Sequence, residues 1–471
     1  MQKQKKKKLT IDQIIYNAKK AALLFKNYDQ EQTDRIVKAA YTAGFNNRIH
    51  LARLANEETG IGRWQDKVIK NVIATKYVYE DIKDIKTIGI TSEDKKKGII
   101  EIAQPIGPVF AITPVTNPTS TVLFKILIAL KTRNSLIIRP HGAARKCSIE
   151  AARICYEAAL KEGAPKNCIQ WTGRTTQEQT QRLMRHKDIA LVLASGSVEL
   201  VREAFSSGNP AIGVGKGNVP VFIGKTADVP FAVEQIFISK IFDNGLLCAS
   251  EQALVVRKCH VKEVKKEFLK RKAYFLSPEE IKKLEPVIYN SALKMVKSEI
   301  LGRPAPEIAK MADINVPDDT TLLIAELEAI CAQCPLSLSI LAPVLAFYVA
   351  DTFNKAIDLC KRINHNGGLG HTASIFSNEE NNIQHFANEM NAGRIIVNTP
   401  SSQGALGGTY NKLNPSLTLA CGTGGKNITT DNISVKHLLN IQRIAYRKVD
   451  GHIEKNVLNK YFDDTVEADH I

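Results

Sequence analysis

VFAITPVTNPTS, residues 109–120, is the stretch from which the fold can be read. Val109 to Thr113 is apolar or β-branched, as in a short buried strand. Pro114 and Pro118 then stiffen a turn. Thr116, Asn117, Thr119 and Ser120 supply hydroxyls and an amide where a helix over Thr119–Lys131 should begin. A helix start offers unpaired N–H groups and a positive field to an anion such as phosphate. An N-capped helix with no ligand would look the same locally.

The alternation continues outward from this stretch. Strands are expected at Ser135–Ile138, Cys168–Trp171 and Ile189–Leu193, with a helix over Ala143–Lys161 and another opening at Gly196-Ser197. This rhythm predicts an α/β chain with a parallel, doubly wound sheet, a fold that binds ligands at the carboxyl ends of its strands. Upstream, helical spacing of Ile11, Ile14, Ile15, Ala18, Ala22 and Phe25 opens a set of three helices over Leu9–Glu80, the others at Tyr41–Glu58 and Asp66–Tyr79. A turn at Lys95–Lys97 leads into GIIEIAQPIG, a strand read as an exposed arm. Downstream, Val229–Thr409 is a second α/β unit with lysine-rich surface helices between Val261 and Lys297, followed by the glycine-rich CGTGGKN. The expected organisation is a basic disordered tail (1–8), a cofactor-binding domain (9–228, with arm strands near 95–106), a catalytic domain (229–409) and a return segment with the oligomerisation arm and tail (410–471).

The chain has 471 residues, 44% hydrophobic and 24% charged, enough for two or three domains around a large core. No apolar run approaches the roughly 20 residues that cross a bilayer, and the lysine-rich start lacks a signal core. A cytoplasmic protein with no membrane partner is expected. Its nine cysteines are then reduced thiols; Cys331 and Cys334 form a lone C-x-x-C without a second pair, so no metal is expected. The net charge is +16, part of it from Lys3–Lys8. Without zinc-finger spacing or basic stripes interleaved with aromatics, this charge favours small polyanions such as dinucleotides or coenzyme A over nucleic acid. GVGKGN (213–218) lacks G-x-G-x-x-G spacing and precedes a strand, and Gly224-Lys225-Thr226 lacks the first glycine of a phosphate loop.

FDNGLLCASEQALVV, residues 242–256, places Cys248 at the mouth of a loop entering a strand, where a thiol meets a ligand rather than packing in a helix. An isolated cysteine is more often a buried structural thiol.

Taken together, ITPVTNPTS, LASGS, GVGKGNVP, FDNGLLCASEQ, NGGLGHT, VNTP and PSLTLACGTGG, in this order over Leu9–Ile444, resemble the coenzyme-A-acylating branch of the aldehyde dehydrogenase superfamily, most closely the aldehyde dehydrogenase half of bifunctional aldehyde-alcohol dehydrogenases. The iron-dependent alcohol dehydrogenase half is absent, so a stand-alone enzyme is expected. The resemblance implies a Rossmann-like cofactor domain, an α/β catalytic domain and a small oligomerisation arm. It implies Cys248 as nucleophile, Asn117 with the Cys248 N–H as oxyanion donors, and His371 as the base for thiols, although a lone histidine after a glycine turn is as often structural. It implies a cofactor pocket of Thr113, Pro114, Val115, Thr116, Asn117, Pro118, Gly196, Ser197 and Gly215, with Arg139 beside it.

Three departures carry information. Gly213 stands where hydrolytic relatives carry the glutamate that activates water, so a thiol, that of coenzyme A, is expected to collect the acyl group. Arg139 and Gly142 replace a lysine and a glutamate at the adenosine ribose, which makes NADP as plausible as NAD. Ser339, in SILAPVLAF, replaces a glutamate at the nicotinamide ribose. The implied reaction is reversible oxidation of a short aldehyde, acetaldehyde by default, to its acyl-CoA. Sulfoacetaldehyde with NADP, an acyl-phosphate reductase of the same superfamily, and a basic nucleic-acid-binding or scaffold protein on a dead dehydrogenase fold are the alternatives. A homodimer or homotetramer is expected, with an alcohol dehydrogenase or a microcompartment shell as further possible partners.

Overall fold

A computed structural model describes residues 9–447 and 459–467. The expected basic tail, 1–8, lies outside the described residues. The N-terminal segment folds into helices Ile11–Phe25, Gln30–Asn46, Arg48–Thr59 and Trp64–Val72, then a π-helical turn Ile73–Tyr77 and a last helix Val78–Ile82. Thr10 with Gln13, and Asp29 with Gln32, form capping boxes at the first two. The single helix expected over Tyr41–Glu58 is broken at Asn47. Its side-chain Nδ2 donates to the Ala43 carbonyl at 2.9 Å, satisfying a helix-end acceptor as the chain turns.

An antiparallel pair, β1 (Gly89–Asp94) and β2 (Ile99–Pro105), leads into a five-stranded parallel sheet of β3 (Val109–Ile112), β4 (Leu136–Arg139), β5 (Ile169–Trp171), β6 (Leu191–Ser195) and β7 (Ala211–Val214), in the order β5-β4-β3-β6-β7. Helix Pro118–Lys131 is buried over its whole length. The sheet reverses direction of winding at β3, so the carboxyl ends of β3 and β6 bound a crevice suited to a dinucleotide.

The second sheet has seven parallel strands. They are β8 (Val219–Ile223), β9 (Glu251–Arg257), β10 (Ala273–Phe275), β13 (Leu322–Glu326), β14 (Val344–Ala350), β15 (Gly370–Phe376) and β16 (Ala392–Val397), in the order β10-β13-β14-β9-β8-β15-β16. The short hairpin β11 (Tyr289–Asn290) and β12 (Met295–Val296) stands apart. β8 lies ahead of the domain boundary expected at residue 228. It belongs here because its buried residues pair on both edges, Val221 with Leu254 of β9 and with Ser374 of β15. The four residues Gly215–Asn218 lead from the carboxyl edge of one sheet to the amino edge of the other. Strand β17 (Leu439–Ala445) returns to pair with β2, completing an exposed three-stranded arm.

One expectation about the thiols is corrected. Cys331 and Cys334 form a disulfide with Cα atoms 5.1 Å apart. A turn in which Cys334 N donates to Cys331 O at 3.1 Å brings them within bridging range. The other seven cysteines are free. Among the described residues no helix is long and apolar enough to cross a membrane.

Candidate active site

Cys248 sits in the turn that feeds β9, partly exposed, at the amino edge of the seven-stranded sheet. His371 enters from the first turn of β15, fully buried, and its Nε2 lies 3.2 Å from Cys248 Sγ. His371 Nδ1 meets Thr372 Oγ1 at 2.9 Å. Opposite Thr372, on β16, Arg394 donates to the His371 carbonyl at 2.8 Å and approaches Thr372 Oγ1 at 3.4 Å. This brace holds the imidazole ring. With Nδ1–H donated to Thr372, Nε2 presents its lone pair to the thiol.

Burial, reinforced by the Arg394 charge, pushes the His371 pKa down to about 3. Burial raises the Cys248 thiol above its ordinary value, against the opposing pull of Arg394 and Lys70. Desolvation wins because both charged forms would sit in a low-dielectric site. The resting pair is therefore a neutral thiol beside a neutral imidazole, so any attack by this sulfur would require its proton to move.

Asn117 stands at the N-cap position of helix Pro118–Lys131 without a side-chain bond to the helix. Its Oδ1 accepts from Lys70 Nζ at 2.7 Å, and its Nδ2 donates to Thr116 Oγ1 at 3.2 Å. Lys70, 1% exposed, also contacts the fully buried Asp243 carboxylate at 2.5 Å. Lys67 reaches the same carboxylate at 2.9 Å, and Arg63 N donates to it at 2.6 Å. Burial pulls the Lys70 pKa down to about 8, with Asp243 opposing. Asp243 and Asn244 are left-handed (φ 50° and 52°), and Gly245 follows at 75°. Asn244 Nδ2 anchors this unusual run on Gly302 O at 2.8 Å. Such conformations persist where surroundings over-determine them.

The sequence reading did not single out Lys67, Lys70 or Arg394. Arg394 had a signal, a lone charge inside the apolar strand β16. The two lysines, three apart on a helix, look like an ordinary solvated face.

Two glycines stand where no side chain fits. A Cβ at Gly217 would lie 2.5 Å from the Cys248 carbonyl oxygen and 2.8 Å from the His371 ring, so the backbone passes where no side chain fits. At Gly213 a Cβ would meet Val201 Cγ1 at 2.4 Å and Phe205 at 2.9 Å. Helix Val198–Phe205 therefore occupies the space a carboxylate at this position would need.

Thr113, Arg139, Gly196 and Ser197 converge at the carboxyl ends of β3, β4 and β6, and Gly215 follows β7. Ser197 Oγ caps its helix by accepting from Leu200 N at 3.3 Å. Among the described residues Thr113 Oγ1 is buried with no hydrogen-bond partner, and the Cβ position of Gly215 meets no atom within 4 Å. An orphaned hydroxyl at the switch point after β3, with open space after β7 on the same edge of the sheet, fits a dinucleotide. Arg139, held by Thr175 Oγ1 at 3.3 Å, has no ion-pair partner among the described residues. Ser339 Oγ is likewise buried and unpartnered.

Residues 1–302 match the aldehyde dehydrogenase family model. The chain is 43% identical over 442 residues to the bifunctional aldehyde-alcohol dehydrogenase of Escherichia coli, covering 93% of this chain and 49% of that one. It is 34% identical to a sulfoacetaldehyde dehydrogenase of Acholeplasma sp, covering 92% and 90% respectively. The structure of an acetylating aldehyde dehydrogenase from Geobacillus thermoglucosidasius superposes with a TM-score of 0.91 at 42% identity, covering 93% of this chain and 97% of that one. The chain spans about half the length of the first curated relatives it matches.

Proposed function

Since the chain belongs to the aldehyde dehydrogenase family, we propose that it is a coenzyme-A-acylating member. It interconverts a short aldehyde, coenzyme A and NAD(P)+ with the acyl-CoA, NAD(P)H and a proton, acetaldehyde being the first substrate to try. The observation that carries this reading is the Cys248–His371 contact at 3.2 Å together with a Gly213 site closed to a carboxylate.

His371 Nε2 takes the thiol proton as Cys248 Sγ adds to the carbonyl carbon, giving a hemithioacetal alkoxide. The Asn117 NH2 and the Cys248 N–H donate to that oxygen. Thr113 to Pro118, Gly196, Ser197 and Gly215 would hold a nicotinamide cofactor, which would supply the hydride acceptor for oxidation of the hemithioacetal to a Cys248 thioester. Arg139 stands where an adenosine 2′-phosphate would find a cation, which supports NADP as an option. With no glutamate to activate water, the thioester waits for a better nucleophile. Once its first proton has passed to solvent, His371 takes the proton of the coenzyme A thiol, whose sulfur attacks the acyl carbon and expels the Cys248 thiolate, which recovers that proton from His371. The exposed arm supports a homo-oligomer, with its edge strands β1 and β17 offering the contact.

The test is a panel of acetaldehyde, propionaldehyde and sulfoacetaldehyde with coenzyme A, run separately with NAD and NADP. Reduced cofactor should form only when coenzyme A is present beyond the first turnover. An undiminished steady-state rate without coenzyme A would overturn the reading.

A further inference from the structure

We propose that Lys70 is the positioning residue of the oxyanion site: its ammonium, shared between Asn117 Oδ1 and the Asp243 carboxylate, sets which end of the Asn117 carboxamide meets the alkoxide and ties that donor to the loop carrying Cys248. The inference rests on the roles given above to Asn117 and Cys248.

A carboxamide is nearly symmetric in shape but opposite in function at its two ends. The NH2 end donates to a developing oxyanion, and the C=O end repels it. An ammonium has three donors and no acceptor, so it tolerates only the oxygen end of a neighbouring amide. At 2.7 Å, and with Lys70 1% exposed, that selection cannot be relaxed by water. The NH2 is left for Thr116 Oγ1 at 3.2 Å and for the substrate oxygen.

The second contact explains why the ammonium can stay charged in so buried a place. Asp243 neutralises it at 2.5 Å and receives Lys67 and Arg63 N as well. Asp243 is also the first of the left-handed residues just upstream of the nucleophile. One cation thus fixes both parts of the chain that must meet the carbonyl group. The neighbouring turn reinforces the arrangement, since Asn71 Oδ1 accepts from Thr119 Oγ1 at 2.9 Å, beside the start of the helix that Asn117 precedes. The π-helical turn Ile73–Tyr77 follows directly, a feature often found at functional sites. Lys67 supplies the contrast, because it neutralises Asp243 without bonding Asn117.

The experiment is steady-state kinetics and thermal unfolding of the full chain carrying Lys70→Met, Lys70→Arg, Lys67→Met, Asn117→Ala, and Lys70→Met with Asn117→Ala. Lys70→Met should lower kcat about 10²-fold, on the scale of losing an oxyanion donor, with KM for aldehyde and cofactor within about threefold. The double variant should be no slower than Asn117→Ala, because both changes disable the same donor. Lys67→Met should lower the melting temperature with a much smaller effect on kcat. If Lys70→Met does not fold, Lys70→Arg decides. Its guanidinium keeps the charge on Asp243 but displaces Asn117, so kcat should still fall at least about tenfold. A slow Asn117→Ala combined with effects that multiply in the double variant, or a Lys70→Arg enzyme with full kcat, would sink the role of Lys70 alone. An Asn117→Ala enzyme with full kcat would sink the oxyanion reading and the inference with it.

Discussion

His371 Nε2 lies 3.2 Å from Cys248 Sγ, and both groups are uncharged at neutral pH. Alkylation of Cys248 by iodoacetamide should therefore accelerate with pH up to and beyond 9, with no inflection near 6.5 from histidine. The sign follows from burial, which raises the thiol and depresses the imidazole. An alkylation plateau below pH 7 would show a preformed thiolate–imidazolium pair instead. The same depressed imidazole adds stability that is fully present above pH 6.5 and is lost as pH falls toward about 3. His371→Gln should flatten that part of the acid-unfolding profile and slow acyl transfer in single turnovers.

Cys248→Ala should abolish turnover while NAD(P)H still binds, since the thiol precedes a strand of the seven-stranded sheet and the residues proposed for the nucleotide lie on the five-stranded one. Fluorescence titration of the reduced cofactor checks the second half. Retained turnover would refute the nucleophile.

Asn117→Ala should reduce kcat by about 10²–10³, or about 2.7–4 kcal/mol of transition-state stabilisation. The change should fall on kcat rather than KM, because the alkoxide exists only after attack. Equal binding losses for substrate and product would point to a packing role.

Gly213→Glu should not create a hydrolytic enzyme. Its Cβ would press on Val201 at 2.4 Å, so the expected outcome is a loss of about 1–3 kcal/mol in urea unfolding. Cofactor reduction without coenzyme A should stay at background. A stable variant that hydrolyses the acyl-enzyme would show that the helix yields.

Thiol titration in denaturant should count seven free cysteines in the oxidised chain and nine after reduction, the difference being Cys331 and Cys334. Nine before reduction would remove the bridge.

Local patterns carried most of the architecture. The strand–turn–helix of residues 109–120, the alternation after it, and the arm strand near residue 100 were legible because turn residues and periodicity act between near neighbours. The loop-to-strand position of Cys248 was legible for the same reason, as was Asn117 at a helix start. The glycine at 213 carried the most chemical meaning through what it lacks.

Other features depended on approach between distant parts of the chain. β8 joins the second sheet because its edges find β9 and β15, which no property of VPVFI foretells. Lys67 and Lys70 read as solvated helix charges until burial against Asp243 and Asn117 converts them into a desolvated network. Arg394 acquires its role only when β16 lies beside β15. The amino-acid sequence by itself therefore determined the elements and the reactive groups they carry. The tertiary structure decided which charges are stripped of water and which donors face one another, because desolvation and hydrogen-bond geometry arise only when remote segments pack.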